Sequence, residues 1–293
     1  MFGLLNLDKP AGLTSRDVVN RVQRLVRPHK VGHAGTLDPL ATGVLVVAVG
    51  AATRLIEYVQ RMEKTYRGTF LLGRTSDTED VDGQVVEVPG APVPTKEQIE
   101  DALPQFIGTI EQRPPAFSAL KVAGQRAYDL ARRGDAVELA PRPVEIHAIE
   151  LLRYEYPELE LRIRCGSGTY IRSLGRDLAQ ALGTDAIMSA LRRKAIGPFQ
   201  ANEALSVDRL DAETIRQRLQ SAAVGLGEMP RVVVNEDEMA RLARGQAIRN
   251  RFGVNAHEVA ALDNADNLAA ILVPAGNEHL RPTKCFASSV ASD

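Results

Sequence analysis

Residues 32–50 read GHAGTLDPLATGVLVVAVG and hold one acid, Asp38, set beside Pro39 between glycine-rich turns. A lone carboxylate in such a loop has two uses. It can close a tight turn by bonding to nearby backbone, the ordinary role of an Asp in this setting. It can also act as an acid, base or nucleophile, and a stiff loop then holds it in one geometry. Other aspartate chemistries need partners that the chain does not supply here. A phosphoryl-transfer hydrolase with an aspartate nucleophile needs a second acid two residues on, where Leu40 stands. An aspartic protease needs Asp-Thr-Gly in place of Asp38-Pro39-Leu40. Gly32 and Gly35 have the spacing of one RNA-clamping loop, but that signal is too short to decide anything.

Composition narrows the field. The two cysteines, Cys165 and Cys285, lie far apart, and the five histidines are scattered. They form neither a disulfide framework nor a metal-ligand spacing, so no metal is expected. With 293 residues, 44% apolar and 25% charged, the chain reads as a soluble protein of one large domain or two unequal ones. No apolar run approaches the roughly 20 residues that span a bilayer. The start, MFGLLNLDKPAG, lacks the basic and long apolar regions of an export signal. The expected setting is a reducing cytoplasm, with no membrane involvement.

The net charge of −1 hides an asymmetry. Five cations, Arg16, Arg21, Arg24, Arg27 and Lys30, stand against the single acid Asp17. Arg192, Arg193 and Lys194 form a second cluster, and Arg241, Arg244, Arg249 and Arg251 a third. Residues 77–101 carry eight acids and one lysine. Polyanion binding needs local positive surface rather than a high total. Solvated helix faces explain such clusters equally well, so charge alone decides nothing.

The elements that must position Asp38 follow from local patterns. Thr14-Ser15-Arg16-Asp17 has the form of a capping box, and Val18, Val22, Leu25 and Val26 continue it as a helix that Pro28 should end. GVLVVAV, residues 43–49, predicts a buried strand. Residues 65–72 and 84–88 predict two more, separated by RTSDTEDVDG with its Asp82-Gly83 turn. A calcium loop is rejected there, because the acid required six residues past Gly83 is Pro89. Thr95 begins another helix. Residues 112–143 are basic, rich in Pro, Gly and Ala, and predict only a short helix near 126–133. A long, weakly structured segment of this kind is usually functional or disordered. Residues 159–165 alternate as a strand, and Gly168-Thr169-Tyr170-Ile171-Arg172 leads into a helix reaching about Leu182. Met229-Pro230 marks a junction, beyond which RVVVN, VAALD and LAAILVP predict a small β-rich module.

Taken together, these stretches carry a family resemblance. GHAGTLDPLATGVL resembles the catalytic loop of bacterial tRNA pseudouridine-55 synthases. NLDKPAGLTS, residues 6–15, is similar to that family's N-terminal motif, and Lys64-Thr65-Tyr66 to its Lys-x-Tyr strand. Ser118-Ala119-Leu120-Lys121 resembles part of its thumb-like insertion. CGSGTYIRSLGRDL, residues 165–178, resembles its arginine motif, and Leu191-Arg192-Arg193 a later one. These matches span residues 1 to about 200 in the family's order. Beyond that, position and β pattern alone resemble a small RNA-binding barrel of the PUA type.

The resemblance implies a mixed α+β catalytic domain over residues 1–229, with a largely antiparallel sheet and flanking helices. Residues 230–293 would form a small β-rich, PUA-like RNA-binding domain. It implies an isomerase that converts uridine 55 of the tRNA T-loop to pseudouridine by base flipping, with no cofactor. Asp38 matches the essential aspartate, acting as nucleophile or by removing the 2′ proton. Arg172 matches the arginine that pairs with it, Tyr66 the aromatic that stacks on the flipped uridine, and Tyr170 and Leu191 the walls against the uracil. His33 matches the histidine that wedges into the T-loop, and Lys9 and Pro10 a buttressing loop. The implied partner is tRNA through its T-stem and loop, the implied state a monomer without an obligate protein partner. The insertion, residues 112–143, is expected to be mobile without RNA and ordered with it. A tRNA-folding chaperone or RNA-binding module is the rival reading. A guide-RNA-dependent synthase is a third, but it would require partner proteins, and no extra docking segment is apparent.

Overall fold

A computed structural model describes residues 1–117, 121–122, 125–126 and 139–286. The chain packs as two units. One comprises Met1–Pro39, Gly43–Met62 and Ile196–Asp293, the other Leu40–Thr42 and Glu63–Ala195.

The first unit opens with β1 (Gly3–Lys9), α1 (Ser15–Leu25), β2 (Val31–His33), β3 (Thr42–Val49) and α2 (Ile56–Arg61). Thr14 and Asp17 form the capping box that starts α1, each bonding the other's backbone N–H. β1 runs antiparallel to β3 from Gly3↔Val49 to Lys9↔Gly43, and β2 pairs with β3 from Val31↔Val49 to His33↔Val47. The apolar run of β3 divides between two cores by its two-residue period. Val44, Val46 and Ala48 share one core with Leu4, while Leu45, Val47 and Val49 join Leu5, Leu7 and the α1 stripe Val18, Val19, Val22 and Val26. With both faces covered, the strand reads as a continuous hydrophobic run.

The second unit holds β4 (Lys64–Leu72), α3 (Lys96–Ala102), β5 (Gly108–Gln112), β6 (Arg142–Glu155), β7 (Glu158–Cys165), α4 (Ile171–Ala181) and β8 (Ala186–Ile196). Its strand order is β8-β4-β7-β6-β5, with β4–β7, β7–β6 and β6–β5 antiparallel. Thr95 and Gln98 cap α3 reciprocally. β7 turns Leu159, Leu161, Ile163 and Cys165 inward, as its alternation requires. α4 lies close on β4 because residue 175 is glycine: a Cβ there would stand 2.2 Å from the Phe70 ring. The strand expected over 84–88 is shorter, Val86–Glu87, paired with Arg74–Thr75. Of the helix expected near 126–133, residues 127–133 lie outside the described residues, and Arg126 instead sits in a two-residue strand, Gln125–Arg126, paired with Lys121–Val122. Residues 118–120 and most of the insertion also lie outside them.

The first unit resumes with Leu205–Ser206, parallel to β1, then α5 (Ala212–Arg218), β9 (Arg231–Val233), α6 (Glu236–Ala243), β10 (Ile248–Arg249), β11 (Val259–Leu262), β12 (Leu268–Pro274) and β13 (His279–Cys285). The order β9-β11-β12-β13-β10 makes a five-stranded sheet, with β9 and β11 parallel. One face packs with α6: Val259, Ala261, Ala270 and Leu272 meet Leu242. On the other, Ala260, Leu262 and Ile271, with Leu268 and Phe286, share a core with Leu4, Val44 and Val46. A sheet apolar on both faces needs a second cover, and residues 54–58 meet it there: Arg54 donates to the Cys285 carbonyl at 2.9 Å and stands 5.1 Å from the Phe286 ring centre, and Tyr58 Oη donates to Glu258 Oε1 at 2.8 Å. The architecture is mixed α+β. Among the described residues no helix is long and apolar enough to cross a membrane.

Candidate active site

Asp38 sits half-buried in the loop between β2 and β3. Gly35 and Gly43, at φ +111° and +100°, let the chain turn on either side of it in conformations that side chains with a Cβ rarely adopt. Both neighbours of Asp38 are fastened to the N-terminal motif. The Leu37 N–H donates to Ser15 Oγ at 2.9 Å, and that hydroxyl donates to the Leu37 carbonyl at 3.2 Å. On the other side, the Pro39 carbonyl accepts from the Gly12 N–H at 2.9 Å and from Lys9 Nζ at 3.2 Å.

Lys9 is 0% exposed. A buried ammonium is tolerated only where acceptors replace its water. Here Nζ donates to the carbonyls of Pro10 at 2.9 Å and Leu13 at 2.6 Å as well as to that of Pro39. Lys9 and Pro10 therefore belong to the scaffold of the Asp38 loop. His33 ends β2 opposite Val47, half-buried, five residues before Asp38.

In the second unit, Tyr66 lies on β4 and is 8% exposed, facing the same way as Lys64 and Gly68. Burial pushes the Lys64 ammonium down to about 8. Across the strand pair Cys165 is opposite Lys64, and burial pushes its thiol up to about 11. Leu191 on β8, the strand beside β4, is buried, and its carbonyl accepts from Thr42 Oγ1 at 3.4 Å. Tyr170 is the N-cap of α4. The buried amide of Gln112 grips its backbone at two points, accepting from the Tyr170 N–H at 2.8 Å and donating to its carbonyl at 3.1 Å. The Arg142 guanidinium stands 5.2 Å from the Tyr170 ring centre, a cation–π distance.

Arg172, two residues into α4, is buried. Its Nη1 donates to the Thr78 carbonyl at 2.7 Å and lies 3.4 Å from Asp80 Oδ2, while Nη2 donates to the Phe117 carbonyl at 3.0 Å. Asp80 also accepts from Thr78 Oγ1 at 2.5 Å and from the Asp82 N–H at 3.1 Å. Burial raises the carboxyl of neighbouring Glu79 above the usual carboxylate range, against the pull of Arg176, Ser173 and Arg172.

Sequence reading places Lys9, Pro10, Asp38 and His33 as candidates, and the structure gathers the first three in one loop cluster. Tyr170 and Arg172 stand two residues apart at the start of α4, with Tyr66 and Leu191 on adjacent strands. Three residues escaped that reading: Gln112, Glu79 and Asp80. Both acids stand in the stretch rejected above as a calcium loop, and the sequence signal that points to them is the pair of arginines, Arg172 and Arg176, within residues 165–178. The cluster Arg192-Arg193-Lys194 is corrected as a surface patch. β8 alternates through it, so Arg193 is 2% exposed while Lys194 is outside.

The clamped acid of the first unit is suited to acid–base or nucleophilic chemistry. Residues 23–171 match the TruB family pseudouridylate synthase N-terminal domain, and residues 172–234 the tRNA pseudouridylate synthase B C-terminal domain. A protein named tRNA pseudouridine synthase B from Dehalococcoides mccartyi is 39% identical, over 98% of this chain and 97% of its own length. One of the same name from an Arthrobacter species is 41% identical, over 99% and 98%. Among solved structures, a chain of a Cbf5-Nop10-Gar1 complex is similar with a TM-score of 0.74 and 27% identity, over 97% of this chain and 85% of that one. A chain of an H/ACA RNP bound to a substrate RNA containing 2′-deoxyuridine gives 0.73 and 26%, with the same coverage. The chain belongs to the TruB family of pseudouridylate synthases, enzymes that act on RNA.

Proposed function

We propose that this chain converts uridine 55 of the tRNA T-loop to pseudouridine, with Asp38 as the essential carboxylate. The observation that carries the reading is the two-sided clamp on Asp38, through Ser15 at Leu37 and through Gly12 and Lys9 at Pro39. Chemistry at a single base gains from a carboxylate whose geometry is set before the substrate arrives. The relatives named tRNA pseudouridine synthase B supply the substrate.

The reaction breaks the N1–C1′ bond, turns the uracil and joins C5 to C1′. The C5 proton leaves to solvent and N1 gains one, so the product is an isomer and no external reductant or group donor is consumed. Asp38 acts as the nucleophile or as the base for the 2′ proton. Arg172 pairs with the aspartate and aims it, Tyr66 stacks on the extruded base, and Tyr170 and Leu191 border the uracil. His33 fills the gap left in the loop, and Lys9 and Pro10 hold the Asp38 backbone. Residues 1–229 form the catalytic part, 112–143 grip the T-loop, and 230–293 add RNA contacts. The protein works as a monomer in the cytoplasm.

The test is tritium release from a tRNA transcript carrying C5-labelled uridine, with wild type and Asp38→Asn compared. The variant keeps the side-chain volume and loses the charge, so isomerisation should vanish while tRNA affinity stays within a few fold, most affinity coming from phosphate contacts. Turnover within about tenfold of wild type would remove Asp38 from the chemistry. Loss of binding together with turnover would favour a chaperone role.

A further inference from the structure

Arg172 and Arg176 lie four residues apart on α4, and so on one face of it. Both address the same two segments of the second unit. Arg172 reaches Thr78, Asp80 and the carbonyl of Phe117. Arg176 pairs with the Glu79 carboxylate through Nη1, donates from Nε to Asp177 Oδ1 at 2.9 Å, and donates from Nη2 to the carbonyl of Arg113 at 2.9 Å. Residues 78–80 and 113–117 are thus each held twice.

Glu79 carries the other half of the arrangement. Its φ of +62° is one that a residue with a long side chain adopts only when its surroundings impose it. Two groups on α4 hold the carboxylate there: Ser173 Oγ donates to Oε2 at 3.0 Å, and Arg176 takes Oε1. The main chain on either side of Asp80 is stitched to β8, the Met188 N–H donating to the Glu79 carbonyl at 3.0 Å and the Val81 N–H to the Met188 carbonyl at 3.1 Å. The turn at Glu79 therefore sets the direction in which Asp80 leaves the chain, and Asp80 faces Arg172.

We infer that Glu79 and Arg176 form a positioning pair for Arg172, fixing its guanidinium through the Asp80 loop on one side and residues 113–117 on the other. The inference rests on the function proposed above. Neither residue touches substrate; they act by limiting where Arg172 can sit. A guanidinium displaced by about 1 Å is enough to slow a reaction that depends on its charge.

The test uses the full chain and a tRNA transcript with C5-tritiated uridine, under single turnover with enzyme in excess. Glu79→Gln, Arg176→Gln and their double variant are measured together with tRNA affinity and Tm. Each single change should lower the rate constant about tenfold and leave affinity near wild type, and the double should be no slower than the worse single, because both act through one contact. Adding either change to Asp80→Asn should likewise cause little further loss. Arg176→Lys, which keeps the charge opposite Glu79 and gives up the fork, should fall between, and it replaces Arg176→Gln if that variant does not fold. Wild-type rates in the variants, losses that multiply, losses confined to affinity, or losses that track the unfolded fraction would each overturn the inference. A wild-type chain that releases no tritium overturns the proposed function and this inference with it. An active wild type with equally active variants overturns the inference alone.

Discussion

Arg172 Nη1 lies 3.4 Å from Asp80 Oδ2, with both side chains nearly sealed from water at 6% and 5% exposure. Desolvating two charges offsets most of their attraction, so such a pair adds little net stability, yet breaking it strands a buried charge. Asp80→Asn should therefore lower stability by about 3 kcal/mol, measured by urea unfolding, and slow isomerisation strongly. Arg172→Met combined with Asp80→Leu should recover much of that stability and none of the activity. A double variant as unstable as the single would mean that the other hydrogen bonds of these groups, to the Thr78 and Phe117 carbonyls and from Thr78 and Asp82, and not the charge pair, govern this part of the core.

Lys9→Met removes a buried ammonium from three carbonyl acceptors and leaves them without that donor. The expected cost is about 2 kcal/mol. Because one acceptor is Pro39, the Asp38 loop should loosen with it. Amide exchange at Gly12 and Leu37, whose N–H groups make two of the other three loop bonds, should quicken, and turnover should fall at unchanged tRNA affinity. Faster exchange with wild-type turnover would show that the reaction does not need the stiffness.

Lys64 should lose its proton near pH 8, because burial depresses it from 10.5 to about 8. Between those values the unfolded chain holds a proton that the folded chain has released. This group's contribution to stability therefore rises with pH across that window, and below about 8 its penalty is fully present. The ¹⁵Nζ resonance of Lys64 should titrate near 8, and Lys64→Met should flatten the stability profile above that pH. A resonance that titrates with the exposed lysines would contradict the burial argument.

Arg16, Arg24, Arg27 and Lys30 are exposed on and just beyond α1. If they meet phosphates, affinity for RNA should fall steeply with salt, by a logarithmic slope of roughly 0.7–0.9 per contact. A hairpin of the T-stem and T-loop should be a competent substrate, whereas a linear strand of the same sequence lacks the preformed loop whose bases can be splayed out. Turnover on hairpin, linear strand and full tRNA at two salt concentrations checks this. Equal rates on the linear strand would refute recognition by shape, and an inert hairpin would place essential contacts outside the T-arm.

What could be read from the chain was what neighbouring residues decide. The Thr14–Asp17 box, the apolar run of β3, the alternation of β7 and the start of α4 depend on groups two to four positions apart. The motif around Asp38 was equally legible, because a glycine, an acid and a proline in fixed order constrain backbone within a few residues. Arg193 was misjudged for a related reason: three cations in a row read as surface, but strand alternation turns the middle one inward.

The amino-acid sequence by itself determined α1, the starts of α3 and α4, the strands β3, β4 and β7, and the loop that carries the acid, since capping, side-chain period and turn stereochemistry act over one or two turns of chain. Only the tertiary structure decided which distant groups complete them. Lys9 finds Pro39 across 30 residues, Gln112 finds Tyr170 across 58, and Arg172 finds Thr78 across 94. The bonds from Arg54 to Cys285 across 231 residues and from Tyr58 to Glu258 across 200 belong to the same class. A buried charge or amide must find a partner, but any of several acids or carbonyls would satisfy that demand. The choice among them follows from which segments the sheets and helices bring within 3 Å or so, and no local pattern encodes it.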